Sequence, residues 1–80
     1  MSTLDKVTEI LRDMFEDYSG PITPATVAQD VPDWDSLAQV KLMVQVERAF
    51  GIRFEAREVS SPRNVGELIT LIDAKRIAKN

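Results

Sequence analysis

Asp35-Ser36-Leu37 follows Trp34 at the head of an amphipathic stretch and sets a primary alcohol where a helix should begin. The chain has no cysteine and no histidine, so Ser36 has no imidazole to activate it, and neither thiol chemistry nor a metal-ligand cluster is at hand. The chemistry open to Ser36 is covalent modification by another enzyme. Free N–H groups and the positive dipole end of a helix start favour a phosphate there, partly offsetting the charges of Asp33 and Asp35. The plain alternative is that Ser36 only caps the helix, as serine commonly does.

The elements around this serine read as helices joined by one long loop. Leu4, Val7, Leu11, Met14, Phe15 and Tyr18 recur at spacings of three and four, with Ile10 widening the stripe, and predict a first helix capped by Ser2 or Thr3 and ended by Gly20 and Pro21. Asp5, Glu9 and Asp13 fall on its solvated face. Residues 19–34 hold Pro21, Pro24 and Pro32 and no sustained period, so they predict an ordered loop, pinned by Ile22, Val27 and Val31, that delivers Asp35 and Ser36 to the next helix.

That second helix is expected over 36–50, with Asp35 accepting hydrogen bonds at its start and Gly51 closing it in a left-handed turn. Ile52 then folds back towards Val46. Residues 52–63 read as irregular, with Ile52 and Phe54 inward and one short helical turn at 57–60. The last helix starts near Asn64, which stands in capping-box spacing with Glu67, and buries Val65, Leu68, Ile69 and Ile72, with Leu71 at the margin. Lys75, Arg76 and Lys79 suit the dipole at its C-terminal end.

Eighty residues, 44% of them apolar, fit one domain (1–80) with one small core. The expected fold is all-α, a small bundle of three to four helices. Apolar runs are too short for a membrane span or signal peptide, which points to a soluble, cytoplasmic protein without stable membrane insertion. The net charge of −3 argues against nucleic acid as a partner. The charge is uneven: residues 1–36 hold eight acids and two bases, residues 37–80 five acids and eight bases.

The run from Asp33 to Leu42, with the long proline-bearing loop before it and the Phe50-Gly51-Ile52 close and Asn64-Val65 start after it, resembles the acyl carrier protein family across nearly the whole chain. The resemblance implies the acyl-carrier type of bundle. It also implies a 4′-phosphopantetheine arm, supplied by coenzyme A and attached to Ser36, whose terminal thiol holds acyl groups as thioesters. Asp35 would then serve both the helix start and recognition by the phosphopantetheinyl transferase. The further partners implied are enzymes that load and transfer acyl groups, the protein itself being a monomeric, non-catalytic carrier.

Projected at about 100° per residue, Leu42, Met43, Val46, Ala49 and Phe50 form the core face of the second helix. Leu37, Val40 and Val44 form a separate stripe near Ser36, flanked by Lys41 and Arg48, with Glu47 the one acid of the helix after Asp35. These six residues, Leu37, Val40, Lys41, Val44, Glu47 and Arg48, are the expected docking surface. Val40 is also placed to lie partly inside, where some carriers shelter a short acyl chain. Carriers of bacterial fatty acid synthesis have an acidic helix here. This chain departs from them, which predicts a specialised carrier for a dedicated lipid, polyketide or polysaccharide-acylation pathway. The rival readings are an aminoacyl or peptidyl carrier, disfavoured by Trp34-Asp35 where such carriers have glycines, and an unmodified helical interaction module in which Ser36 is only a cap.

Overall fold

In the computed structural model, which describes residues 2–78, the elements run α1 (Thr3–Met14), α2 (Ser36–Phe50), α3 (Ala56–Val59) and α4 (Val65–Ala78). A single 3-10 turn, Ala28–Asp30, lies in the loop between α1 and α2, and there is no strand among the described residues. The fold is all-α, as expected.

Ser2 caps α1: its hydroxyl accepts the Asp5 N–H at 3.1 Å while the Asp5 carboxylate accepts the Ser2 N–H at 3.4 Å. The helix stops at Met14 and not at Gly20-Pro21. Tertiary contacts override the periodicity here. Phe15 is buried and stacks on Trp34 with ring centroids 5.6 Å apart. Arg12 donates from Nη1 to the Tyr18 carbonyl at 3.0 Å, and the Tyr18 hydroxyl donates to the Pro21 carbonyl at 2.9 Å. These bonds satisfy a turned backbone that the helix would otherwise have satisfied itself.

Val7, Leu11 and Phe15, then Leu42, Met43 and Val46 of α2, Val65, Leu68 and Ile72 of α4, and Ile52 and Val31 from the connections make one buried core. Ala49, expected in it, is exposed, and Phe50 is half-buried. Gly51 ends α2 with φ 66° and ψ 39°, and the Ile52 N–H bonds the Glu47 carbonyl at 3.1 Å, which is the Schellman closure with Ile52 buried behind it.

The long loop is tied to the start of α4. Val65 donates to the Thr26 carbonyl at 2.9 Å and Gly66 to the Pro24 carbonyl at 2.8 Å, so amides that α4 cannot pair internally are paired by the loop. Thr26 is buried at the joint, its hydroxyl accepting the Thr23 N–H at 2.9 Å, and Val31 is buried further on, whereas Ile22 and Val27 are only half-buried. Asn64 caps α4 by accepting the Glu67 N–H at 2.8 Å, but the Glu67 carboxylate reaches past it to the Arg63 N–H at 2.9 Å.

The short helix falls at Ala56–Val59, one residue earlier than expected, and buries none of its residues. Polar contacts hold it. The Glu58 carboxylate accepts the Glu55 N–H at 2.8 Å and lies 2.6 Å from Lys75 Nζ of α4. Arg76 sits over the Phe50 ring, 5.4 Å from its centre. Lys75 and Arg76 therefore bind neighbouring elements beyond serving the helix dipole, and Lys79 lies outside the described residues.

The Glu55 N–H, then Lys75, hold the Glu58 carboxyl below its ordinary pKa, against the opposing pull of burial. A carboxyl whose pKa falls on folding contributes stability that is complete above its unfolded pKa and is lost as pH drops through the lower folded value. Glu58→Gln removes that dependence. Thermal midpoints of the wild type and Glu58→Gln should therefore differ at neutral pH and converge in acid; an equal gap at every pH would contradict a charge-based hold on α3.

Candidate functional site

Ser36 is the first residue of α2 and is exposed. Asp35, just before it, takes extended backbone angles, and its Oδ1 accepts the Ala38 N–H at 2.8 Å. Asp35 is thus the cap, and the reading of Ser36 as only a cap is corrected: the Ser36 hydroxyl makes no hydrogen bond among the described residues. The division follows from chemistry. The side chain of the residue before a helix's first turn accepts that turn's free amides, as Ser2 does for α1, so with Asp35 in that position the next side chain, Ser36, is not needed as a cap.

Trp34 is packed, not presented. Its ring lies on Phe15, it is half-buried, and its indole N–H donates to Gln39 Oε1 at 2.7 Å. Gln39 in turn donates from Nε2 to the Val59 carbonyl of α3 at 2.9 Å. One side chain of α2 therefore joins the loop to α3 directly beneath Ser36. A groove of about 460 Å³ opens there, lined by Ala28, Trp34, Asp35, Ser36, Gln39, Val40, Val59 and Ser60.

The predicted stripe on α2 stands out of the core: Leu37 is 62% exposed, Val40 49% and Val44 39%. Val40 does not lie inside; it borders the Ser36 groove on one side and, with Met14, Lys41, Val44 and Gln45, a second shallow groove on the other. Lys41 and Arg48 are exposed. Glu47 differs from the other five, being half-buried with Oε2 accepting the Phe54 N–H at 2.8 Å, so its carboxylate secures the chain after α2. Gln39, Val59, Ala28 and Met14 were not among the expected site residues. Gln39 had one cue, a polar residue three positions after Ser36; the others are apolar residues that only the fold brings to the site.

The fit of a covalent arm rests on these facts: an exposed, unbonded hydroxyl at a helix start, and an adjacent groove whose rim it shares. Among the described residues no cluster of metal-ligating side chains is present. No helix among them is long and apolar enough to cross a membrane. A small helical scaffold with an exposed serine at a helix start beside a groove has the features that a carrier of a covalently attached group requires.

Comparison with known proteins gives the family. Residues 33–72 match the phosphopantetheine attachment site family. The chain is 30% identical over 66 residues to the meromycolate extension acyl carrier protein of Mycobacterium leprae, an alignment that takes in 82% of this chain but only 57% of that relative. It superposes on the solution structure of holo acyl carrier protein from Geobacter metallireducens with a TM-score of 0.85 at 40% identity, over 99% of this chain and 91% of that one. The crystal structure of acyl carrier protein from Thermotoga maritima has the same fold, with a TM-score of 0.81 at 22% identity over 95% of this chain and 88% of that one. The chain belongs to the acyl carrier family of phosphopantetheine-attachment domains, and its cofactor is a covalently attached 4′-phosphopantetheine.

The capping role of Asp35 can be read from stability. Asp35→Ala should cost about 1 kcal/mol of stability in chemical denaturation, the usual worth of an N-cap, while Asp35→Asn, still an acceptor, should cost only a few tenths, or about 0.3 kcal/mol. Equal losses in both variants would show that the carboxylate's charge, not its hydrogen bond, supports α2.

Proposed function

We propose that Ser36 is the attachment residue and that this single domain, 1–80, is a non-catalytic, monomeric, cytoplasmic carrier for a dedicated acyl pathway. The observation that carries the reading is the Ser36 hydroxyl itself: exposed, without a hydrogen-bond partner among the described residues, and relieved of capping by Asp35. When bound, the arm supplies a terminal thiol that holds acyl groups as thioesters, which a chain without cysteine cannot do alone. The chain's residues supply the position. Asp35 fixes the start of α2 and offers its second oxygen to the transferase, and the first-turn amides face the phosphate.

Leu37, Val40 and Val44 form the apolar centre of the surface that partner enzymes meet, with Lys41 and Arg48 at its edges. Because Glu47 is turned to the Phe54 N–H, the outward charge of α2 beyond its cap is positive. A complementary enzyme therefore presents carboxylates around an apolar patch, and the basic faces of ordinary fatty acid synthesis enzymes are repelled. A relative named for meromycolate extension supports a role in a dedicated lipid pathway, with polyketide and polysaccharide acylation as the other destinations of this chemistry.

Incubation with coenzyme A, magnesium and a promiscuous phosphopantetheinyl transferase should raise the intact mass of the wild type by one arm and leave Ser36→Ala unchanged. An unmodified wild type beside a modified control carrier refutes the reading. The charge argument has its own check. Replacing both Lys41 and Arg48 by glutamate should raise kcat/KM with a fatty acid synthase enzyme about tenfold at low salt, the lower end of the electrostatic steering range, and the gain should shrink as salt rises. No gain would leave the positive helix without a role in partner choice.

A further inference from the structure

A hydrocarbon chain on a flexible arm gains free energy wherever it finds apolar space out of water, so its resting place is decided by which space the protein leaves open to it. One such space lies at Ser36 and a second lies behind it, and Ala28, Trp34 and Gln39 line both, Gln39 being the α2 side chain that stands between them. The surface groove of about 460 Å³ lies outside Gln39. Behind it, between α2 and the start of α4, is a void of about 30 Å³ lined by Ala28, Trp34, Gln39, Pro62, Arg63, Asn64 and Leu68. That void suits a water molecule and not a hydrocarbon chain.

Gln39 is clasped in place from both sides, accepting from the Trp34 indole N–H at 2.7 Å and donating to the Val59 carbonyl at 2.9 Å. Moving it would leave a half-buried indole N–H and a half-buried carbonyl unpaired together. The far side of α3 is held as well, through Glu58 and Lys75. An apolar chain entering beneath α3 would have to break polar contacts and replace none of them.

On the reading that Ser36 carries the arm, we propose that Gln39 is a specificity-determining residue: it bars the interior to the cargo and confines this carrier to short acyl groups that rest in the mixed polar and apolar surface groove. The groove walls suit such cargo, since Ala28, Val40 and Val59 offer apolar contact while Asp35 can accept from a hydroxyl and Ser60 can donate to a carbonyl near the thioester.

The test loads acetyl, 3-hydroxybutyryl or octanoyl arms onto the protein from the corresponding acyl-coenzyme A with the transferase, and confirms each by intact mass. Methyl resonances of Val46, Leu68 and Leu42 report the interior. In the wild type they should keep the same positions with acetyl and octanoyl arms, while 3-hydroxybutyryl moves those of Val40 and Val59 at the groove. In Gln39→Ala, and in Gln39→Met, which keeps the length but loses both hydrogen bonds, octanoyl should shift the interior methyls and raise the thermal midpoint above that of the acetyl form. Interior shifts in octanoyl wild type overturn the proposal while leaving Ser36 as the attachment residue. So does an interior that stays closed in both variants. Failure to load any arm overturns both readings.

Discussion

The structure depends on how α4 begins. The amides of a helix's first turn have no partner within the helix, and here those of Val65 and Gly66 take theirs from the Thr26 and Pro24 carbonyls of the long loop. A Cβ at position 66 would sit 3.0 Å from the Pro24 oxygen, so any larger residue there would press on this close approach. A loop of this length has a large conformational entropy to lose. It is ordered because its backbone completes a helix, because Thr26 and Val31 are buried, and because Phe15 and Trp34, at its two ends, stack on one another.

What that order secures is the approach to Ser36. Trp34 is fixed by its ring contact and its hydrogen bond to Gln39, which sets the direction in which the chain enters α2. Asp35 then caps, and Ser36 is left outside the hydrogen-bond accounts of the fold. The Ser36 side chain therefore contributes no hydrogen bond, among the described residues, to the structure that presents it. Adjacent residues divide the two duties, one holding the helix and one remaining available.

The parts legible in the sequence are those set by neighbours along the chain. Asp35, the periodic residues of α2 and Gly51 are local signals, and α2 falls over the expected residues Ser36–Phe50. The exposed stripe of Leu37, Val40 and Val44 was legible for the same reason, since a helix cannot turn two opposed faces into one core. The parts not legible are set by partners far along the chain. α1 ends early because Phe15 meets Trp34; Glu47 leaves the outward face because the Phe54 amide needs an acceptor; Lys75 turns to Glu58 and Arg76 to Phe50. Gln39 is the clearest case, with partners before it and twenty positions after it.

The charge pattern gains meaning only once the elements are placed. Asp5, Glu9, Asp13, Glu16 and Asp17 are exposed along α1 and the turn after it, while Lys41 and Arg48 are exposed on α2. The exposed charge of α2 beyond its cap is therefore positive on a molecule that is negative overall, while Arg53, Arg57, Arg63 and Arg76 are further exposed cations outside α2. Lys41 and Arg48 share their helix with the exposed stripe of Leu37, Val40 and Val44 and with Ser36. Helical periodicity thus sets the exposed charge and the exposed apolar residues of α2 on the helix that Ser36 begins.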